Sequence, residues 1–167
     1  MSNASPLANW QVLFLKPRTE KKVAAVCSAH AIPHYLPLRA VSRVRQRRKI
    51  SVTLPLFPGY LFVSLTAETR MPVLQTNHVV RFLQPTRSFR LLRDLVQVRR
   101  ALALTPDLKP VLLLKQGQRV RIISGPLQGS EGVVRSLTSS MRVILSVDMI
   151  GMGVAVTAAR ADVEVIH

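Results

Sequence analysis

Pro55-Leu56-Phe57-Pro58-Gly59-Tyr60-Leu61-Phe62-Val63-Ser64-Leu65 is the most decisive stretch of this 167-residue sequence. Pro58-Gly59 is a turn dipeptide, and it leads into a run of strand formers that is the clearest strand of the first half. Tyr60 and Phe62, two apart on that strand, face the same side. Phe14 sits in another short apolar run, Trp10-Gln11-Val12-Leu13-Phe14-Leu15, which reads as a neighbouring strand. Such an aromatic set serves either as core or as a patch left for a protein partner, and composition does not separate the two.

Outward from this strand the chain remains legible. The Trp10–Leu15 run ends at Lys16-Pro17; Thr19 can cap a helix, with Glu20 in a first turn where the helix dipole favours a carboxylate. Val23, Val26, Cys27 and His30 recur at helical spacing, and Pro33 stops the helix. His34–Leu38 reads as a short strand. Arg39–Lys49 then holds six cations and no acid in eleven residues, followed by extended Ile50–Leu56. Downstream, Thr69–Gln75 reads as a short helix with Pro72 in its first turn, and Val79–Leu83 as a strand. Leu91, Leu95, Val98 and Leu102 predict a helix over 89–104, with Arg90, Arg93, Arg99 and Arg100 left to solvent.

The order strand–helix–strand–strand–helix–strand–helix implies an antiparallel sheet with packed helices, an α+β fold. Residues 105–115, with Pro106 and Pro110, read as a linker. Beyond it, short strands at 119–123, 132–137, 142–147, 154–157 and 163–166 with glycine-containing turns suit a small β barrel. The expected domains are therefore a tail over 1–9 (in part a cloning remnant), an amino-terminal domain over 10–104, the linker, and a barrel over 116–167. Composition supports the division: six of the 7 glycines follow residue 116, and 10 of the 11 prolines precede residue 111.

The formal net charge is +16, of which residues 1–104 carry +14 and residues 105–167 only +2. That excess points to a polyanion, most often nucleic acid. No run approaches the ~20 apolar residues that cross a bilayer, and the opening residues lack the basic and apolar regions of a secretory signal. Cys27, the single cysteine, leaves neither an internal disulfide nor a cysteine-based zinc site. A soluble, cytoplasmic, monomeric protein with no membrane partner is expected.

Catalytic patterns are missing from the sequence. There is no phosphate-binding glycine loop, no HExxH and no Gly-x-Ser-x-Gly elbow. Pro33 separates His30 from His34, so ordinary boundary histidines outweigh a metal pair. Asp162 and Glu164, two apart on an expected strand, read as solvated carboxylates rather than an acid/base pair. No catalytic residue, metal or cofactor is expected, and an enzyme acting on an anionic substrate is the weakest reading. The Arg39–Lys49 segment is either a solvated hairpin tip or an arm whose Arg43, Arg45, Arg47, Arg48 and Lys49 neutralise phosphates without selecting bases.

Four stretches together resemble one family. Trp10-Gln11-Val12-Leu13-Phe14-Leu15-Lys16-Pro17-Arg18-Thr19-Glu20-Lys21-Lys22-Val23 resembles the opening of the NusG amino-terminal domain, Pro55–Val63 its Phe-Pro-Gly-Tyr segment, and Val79–Leu83 its later strand. After the linker, the run from Lys115 to Val134 resembles a KOW motif, the signature of a small SH3-like barrel. The resemblance implies a transcription elongation and antitermination factor that bridges the cleft of RNA polymerase and suppresses pausing. It implies that Phe14, Tyr60 and Phe62 contact the clamp helices, and that Arg70, Met71 and Pro72 contact the opposite side. Lys16, Arg18, Arg81 and the basic arm would meet upstream or non-template DNA.

The resemblance further implies a barrel tip of Leu127, Met149, Ile150 and Met152 that recruits a small-subunit ribosomal protein or Rho. Met152 stands where housekeeping members carry arginine. Tyr35–Arg39 and Leu74–Phe82 are more similar to specialised antiterminators of the RfaH, UpxY and LoaP kind, which act on selected long operons. A housekeeping NusG that engages Rho, and a ribosome- or RNA-binding KOW protein, are the alternatives. The valine, isoleucine and glycine content of the carboxy-terminal part favours strands over the helical state known in RfaH.

Overall fold

A computed structural model describes residues 6–113, 117–137 and 140–167. Met1–Ser5 of the expected tail, Leu114–Lys115 of the linker and Lys115–Gln116 of the KOW-like run lie outside the described residues. Contacts divide the chain into two compact units, residues up to 38 with 54–92, and residues 39–53 with 93–167.

In the first unit, β1 (Trp10–Leu15), β2 (His34–Tyr35), β5 (Tyr60–Ser64) and β6 (Val79–Leu83) form an antiparallel sheet in the order β2-β5-β1-β6. Leu13, Leu15, Leu61 and Val63 face one side of it. There they pack with Val23 and Cys27 of α1 (Glu20–Ala29) and Val73 of α2 (Arg70–Leu74). Helical spacing thus meets strand alternation in one apolar layer, which is what drives this unit to fold. Burial pushes the Cys27 thiol up to about 11, so it behaves as a small apolar core residue.

Two expectations here are corrected. Thr19 does sit at the helix start but makes no side-chain cap; its hydroxyl donates instead to the Lys16 carbonyl at 2.7 Å. The strand expected over His34–Leu38 ends at Tyr35, and Leu38 opens a separate strand. Pro37, which has no N–H to give a ladder, lies at the break.

In the second unit, the basic segment forms a two-stranded hairpin, β3 (Leu38–Arg45) and β4 (Arg48–Pro55). Its base is tied to the chain following α3 (Ser88–Leu104) by an Ala40 N–H to Pro106 carbonyl bond of 2.8 Å. The remaining strands are β7 (Pro110–Leu112), β8 (Gln118–Ile122), β9 (Glu131–Leu137), β10 (Ser140–Val147), β11 (Met152–Ala159) and β12 (Val163–Val165). They make one antiparallel sheet, β12-β8-β9-β10-β11-β7.

The five strands expected from the sequence are present, and β7, from within the expected linker, adds a sixth by pairing with β11. Pro110 is tolerated there because an edge strand can leave an N–H position unused. A Cβ on Gly132 would collide with the Ile144 carbonyl, so glycine lets β9 and β10 approach closely.

Candidate functional site

The aromatic residues stand in rows across the first sheet. Pairing sets Arg81, Phe14 and Tyr60 side by side on β6, β1 and β5, and Leu83, Val12, Phe62 and Tyr35 in the next row on the same face. The Phe14 and Tyr60 rings are 5.3 Å apart and inclined at 41°, a tilted aromatic pair. Phe14 is 37% exposed, whereas Phe62 is 0% exposed. A partner therefore reaches Phe14 and Tyr60 directly, flanked by the exposed Arg81, but not Phe62 in this conformation.

Gly59 builds this patch. Its φ of +87° favours glycine, and a Cβ there would sit 3.2 Å from Phe14 Cε2. The Gly59 N–H donates to Glu20 Oε1 at 2.8 Å, and its carbonyl accepts the Leu15 N–H at 2.7 Å. Glu20, buried at the start of α1, thus pins the Pro58-Gly59 turn beneath the aromatic pair. Sequence reading assigned Glu20 only to the helix dipole; the available signal was that it is one of three acids among residues 1–104.

The other predicted residues of this unit are distributed as follows. Lys16 and Arg18 are exposed after β1, Arg18 with φ +63°. Arg70 lies 4.0 Å from the Phe82 ring centroid, a cation–π contact. Met71 is exposed, and Pro72 is half-buried on α2.

In the second unit, Arg43, Arg45, Arg47, Arg48 and Lys49 are all exposed on the hairpin. Leu127 lies in the β8–β9 connection, and Met149, Ile150 and Met152 in or beside the β10–β11 connection. Strand directions bring both connections to one end of the sheet. All four side chains are half-buried there.

The carboxy-terminal half of α3 meets that end through polar side chains. Gln97 donates its Nε2 to the Glu131 carbonyl at 3.2 Å and accepts the Glu131 N–H on Oε1 at 2.8 Å, imitating a strand partner. Arg100 donates to the Pro126 and Gln128 carbonyls at 3.0 and 3.1 Å. The Glu131 carboxylate lies 2.8 Å from Arg121, 3.4 Å from Arg93 and 3.5 Å from Arg119. The Arg121 hydrogen bond holds its carboxyl below the usual range, overcoming desolvation, and the charges of Arg93, Arg121 and Arg119 add to the effect.

Arg93 and Arg100 were expected in solvent; the structure ties both to the sheet. Asp162 and Glu164 do not share a strand, since Asp162 ends a 3₁₀ turn and accepts the Ser124 hydroxyl, while Glu164 pairs with Arg121. His34 Nδ1 is 2.9 Å from the Ile32 carbonyl. Among the described residues no three side chains are grouped to hold a metal ion, and no helix is long and apolar enough to cross a membrane.

The α+β chain thus displays a half-exposed aromatic pair and an exposed basic hairpin, two surfaces of the kind that bind partners. The family described as transcription termination factor NusG matches residues 8–99, and the chain belongs to that family, whose members are transcription elongation factors rather than enzymes. No curated protein matches the chain in sequence. Among solved structures it is similar to that titled "Domain interaction in Thermotoga maritima NusG". The identity is 24% and the TM-score 0.53, over 95% of this chain and 97% of that one, a likeness of fold. Conformations A and B of the MjSpt4:Spt5 complex align over 94% of this chain and 97% and 96% of theirs. They do so at 13% and 16% identity, with TM-scores of only 0.28 and 0.29.

Proposed function

We propose that this chain binds RNA polymerase across its cleft, favours the elongating state and acts as an antiterminator on selected long operons. Family membership supports the elongation role; the exposed Phe14–Tyr60 pair is the observation that carries the contact. A rigid, half-exposed aromatic pair flanked by a cation has the makings of an interface hot spot. In this reading Phe14 and Tyr60 grip the clamp helices, with Arg81 beside them, and Arg70, Met71 and Pro72 face the opposite wall of the cleft. Binding the closed polymerase better than the paused one shifts its population toward elongation.

Lys16, Arg18 and the hairpin arginines supply affinity for nucleic acid. Leu127, Met149, Ile150 and Met152, brought to one end of the second sheet, form an apolar tip for a further protein, a small-subunit ribosomal protein or Rho. The specialised branch is preferred because the Tyr35–Arg39 run, the basic stretch after it and the Leu74–Phe82 run resemble it; Met152, where housekeeping members carry arginine, weighs against Rho as the partner of the tip.

The test is capture of purified polymerase by the full chain. A Phe14→Ala, Tyr60→Ala double variant, folded by circular dichroism, should bind roughly thirty-fold more weakly, the equivalent of about 2 kcal/mol. Unchanged capture would remove the aromatic pair from the interface.

A further inference from the structure

The sheet of the second unit leaves part of β11 open. This strand pairs with β10 along its whole length, but with β7 only over its first three residues, Met152 to Val154. Among the described residues no strand covers the other side of Ala155–Ala159. The Gly151 carbonyl accepts the Leu113 N–H at 3.1 Å. Alternation from that point turns the main-chain N–H and C=O groups of Ala155, Thr157 and Ala159 toward the unpaired side.

A cavity of about 480 Å³ lies along this side, within the size range of small-molecule sites. Its apolar walls include the buried Ala101 of α3, Leu108 after it, Ile122 of β8 and Val156 of β11. Ser124 contributes a hydroxyl at the exposed rim, and Asp162 contributes the one charged side chain of the lining. None of the 24 lysines and arginines of the chain lines this cavity, nor does a histidine. The Asp162 carboxylate accepts the Ser124 hydroxyl and makes no ion pair among the described residues. An acid without a neighbouring base is a notable choice in a chain of net charge +16.

We propose that this cavity binds a small organic cation, an ammonium group carried on an apolar body. The walls take the body and Asp162 takes the ammonium. A carboxylate has about four acceptor positions, of which the Ser124 hydroxyl fills one. An apolar body in the cavity strips water from Asp162, which is costly unless a cation replaces that water. An anion would meet the same carboxylate with no base to offset it. The open main-chain groups of β11 offer further donors and acceptors that orient the ligand. The site uses neither the aromatic pair nor the basic hairpin, and shares only Leu127 with the apolar tip, so it stands apart from the polymerase reading.

The experiment titrates the full chain with three probes of one shape, phenylbutylamine, phenylbutanol and phenylbutyrate, and follows amide signals by heteronuclear NMR. The amine should saturate a single site and move the signals of Ala155–Ala159 and of Ser124 to Leu127. It should bind about ten-fold or more tightly than the alcohol, the scale of a charge-assisted hydrogen bond, and phenylbutyrate should bind more weakly than either. Asp162→Asn, which keeps an acceptor for Ser124, should bring the amine to within about three-fold of the alcohol. Glu164→Gln, on the nearby carboxylate that pairs with Arg121, should leave the affinity for the amine unchanged.

Equal affinity of the wild type for amine and phenylbutyrate overturns the proposal, and that comparison needs no variant, so a poorly folded Asp162→Asn does not leave the matter open. Amine shifts confined to residues outside the cavity overturn it as well, as does a folded Asp162→Asn that retains full preference for the amine. Signals of Ala155–Ala159 that move with protein concentration alone would make a second copy of the chain the occupant of the open edge, and overturn it too.

Discussion

Glu20 shows how one buried side chain governs the exposed aromatic pair. Its carboxylate accepts the Gly59 N–H across 39 positions of sequence, so truncation leaves that donor buried and unpaired. Glu20→Ala should destabilise the protein by about 1–3 kcal/mol, measured by urea unfolding. Glu20→Gln, which keeps an acceptor oxygen, should recover more than half of that loss. If both variants unfold alike, the bond to Gly59 is not what anchors the turn. Phe62 carries the complementary lesson: it shares a sheet face with Phe14 and Tyr60, yet lies wholly buried, so alternation along a strand identifies a face without saying how far along it solvent reaches.

At the scale of elements, the contact of α3 with β9 combines packing and charge. Leu95 and Val98 are buried, while Gln97 satisfies both main-chain groups of Glu131 and Arg93 reaches its carboxylate. Glu131 is partly shielded from solvent and its pKa is depressed on folding. Its ionised form therefore contributes stability that is whole above the ordinary carboxylate range and is lost as pH falls through the depressed value. Wild type should exceed Glu131→Gln in urea stability at neutral pH, and the gap should narrow on acidification below that range. A gap independent of pH would show that the ion pairs contribute nothing. The helical period of α3 was readable from Leu91, Leu95, Val98 and Leu102, but not which of its polar residues would find partners. Gln97 and Glu131 are 34 positions apart, and no local rule couples them.

For the whole molecule, the net charge of +16 is concentrated before residue 105, and the hairpin and the segment after β1 display much of it at the surface. If the aromatic pair supplies most of the affinity for polymerase and the cations chiefly orient the complex, capture should weaken but persist when salt is raised from 0.1 to about 0.3 M, where the Debye length falls well below 10 Å. Binding abolished over that range would make charge the principal contributor instead.

The sequence by itself determined the three helices, the order of most strands, the α+β class and the family resemblance. Helical spacing, strand alternation and turn chemistry such as Pro58-Gly59 are local, acting over a few residues at a time. Even the hairpin was legible in outline, since a long basic run flanked by strand formers and free of acids has little reason to be buried. Only the tertiary structure decided that Phe14 and Tyr60 are open while Phe62 is closed, that Pro110–Leu112 leave the expected linker to pair with β11, and that Glu20 and Gln97 each support a distant main-chain group. Burial and hydrogen-bond pairing depend on which elements come to lie against one another, and the partners concerned are far apart along the chain.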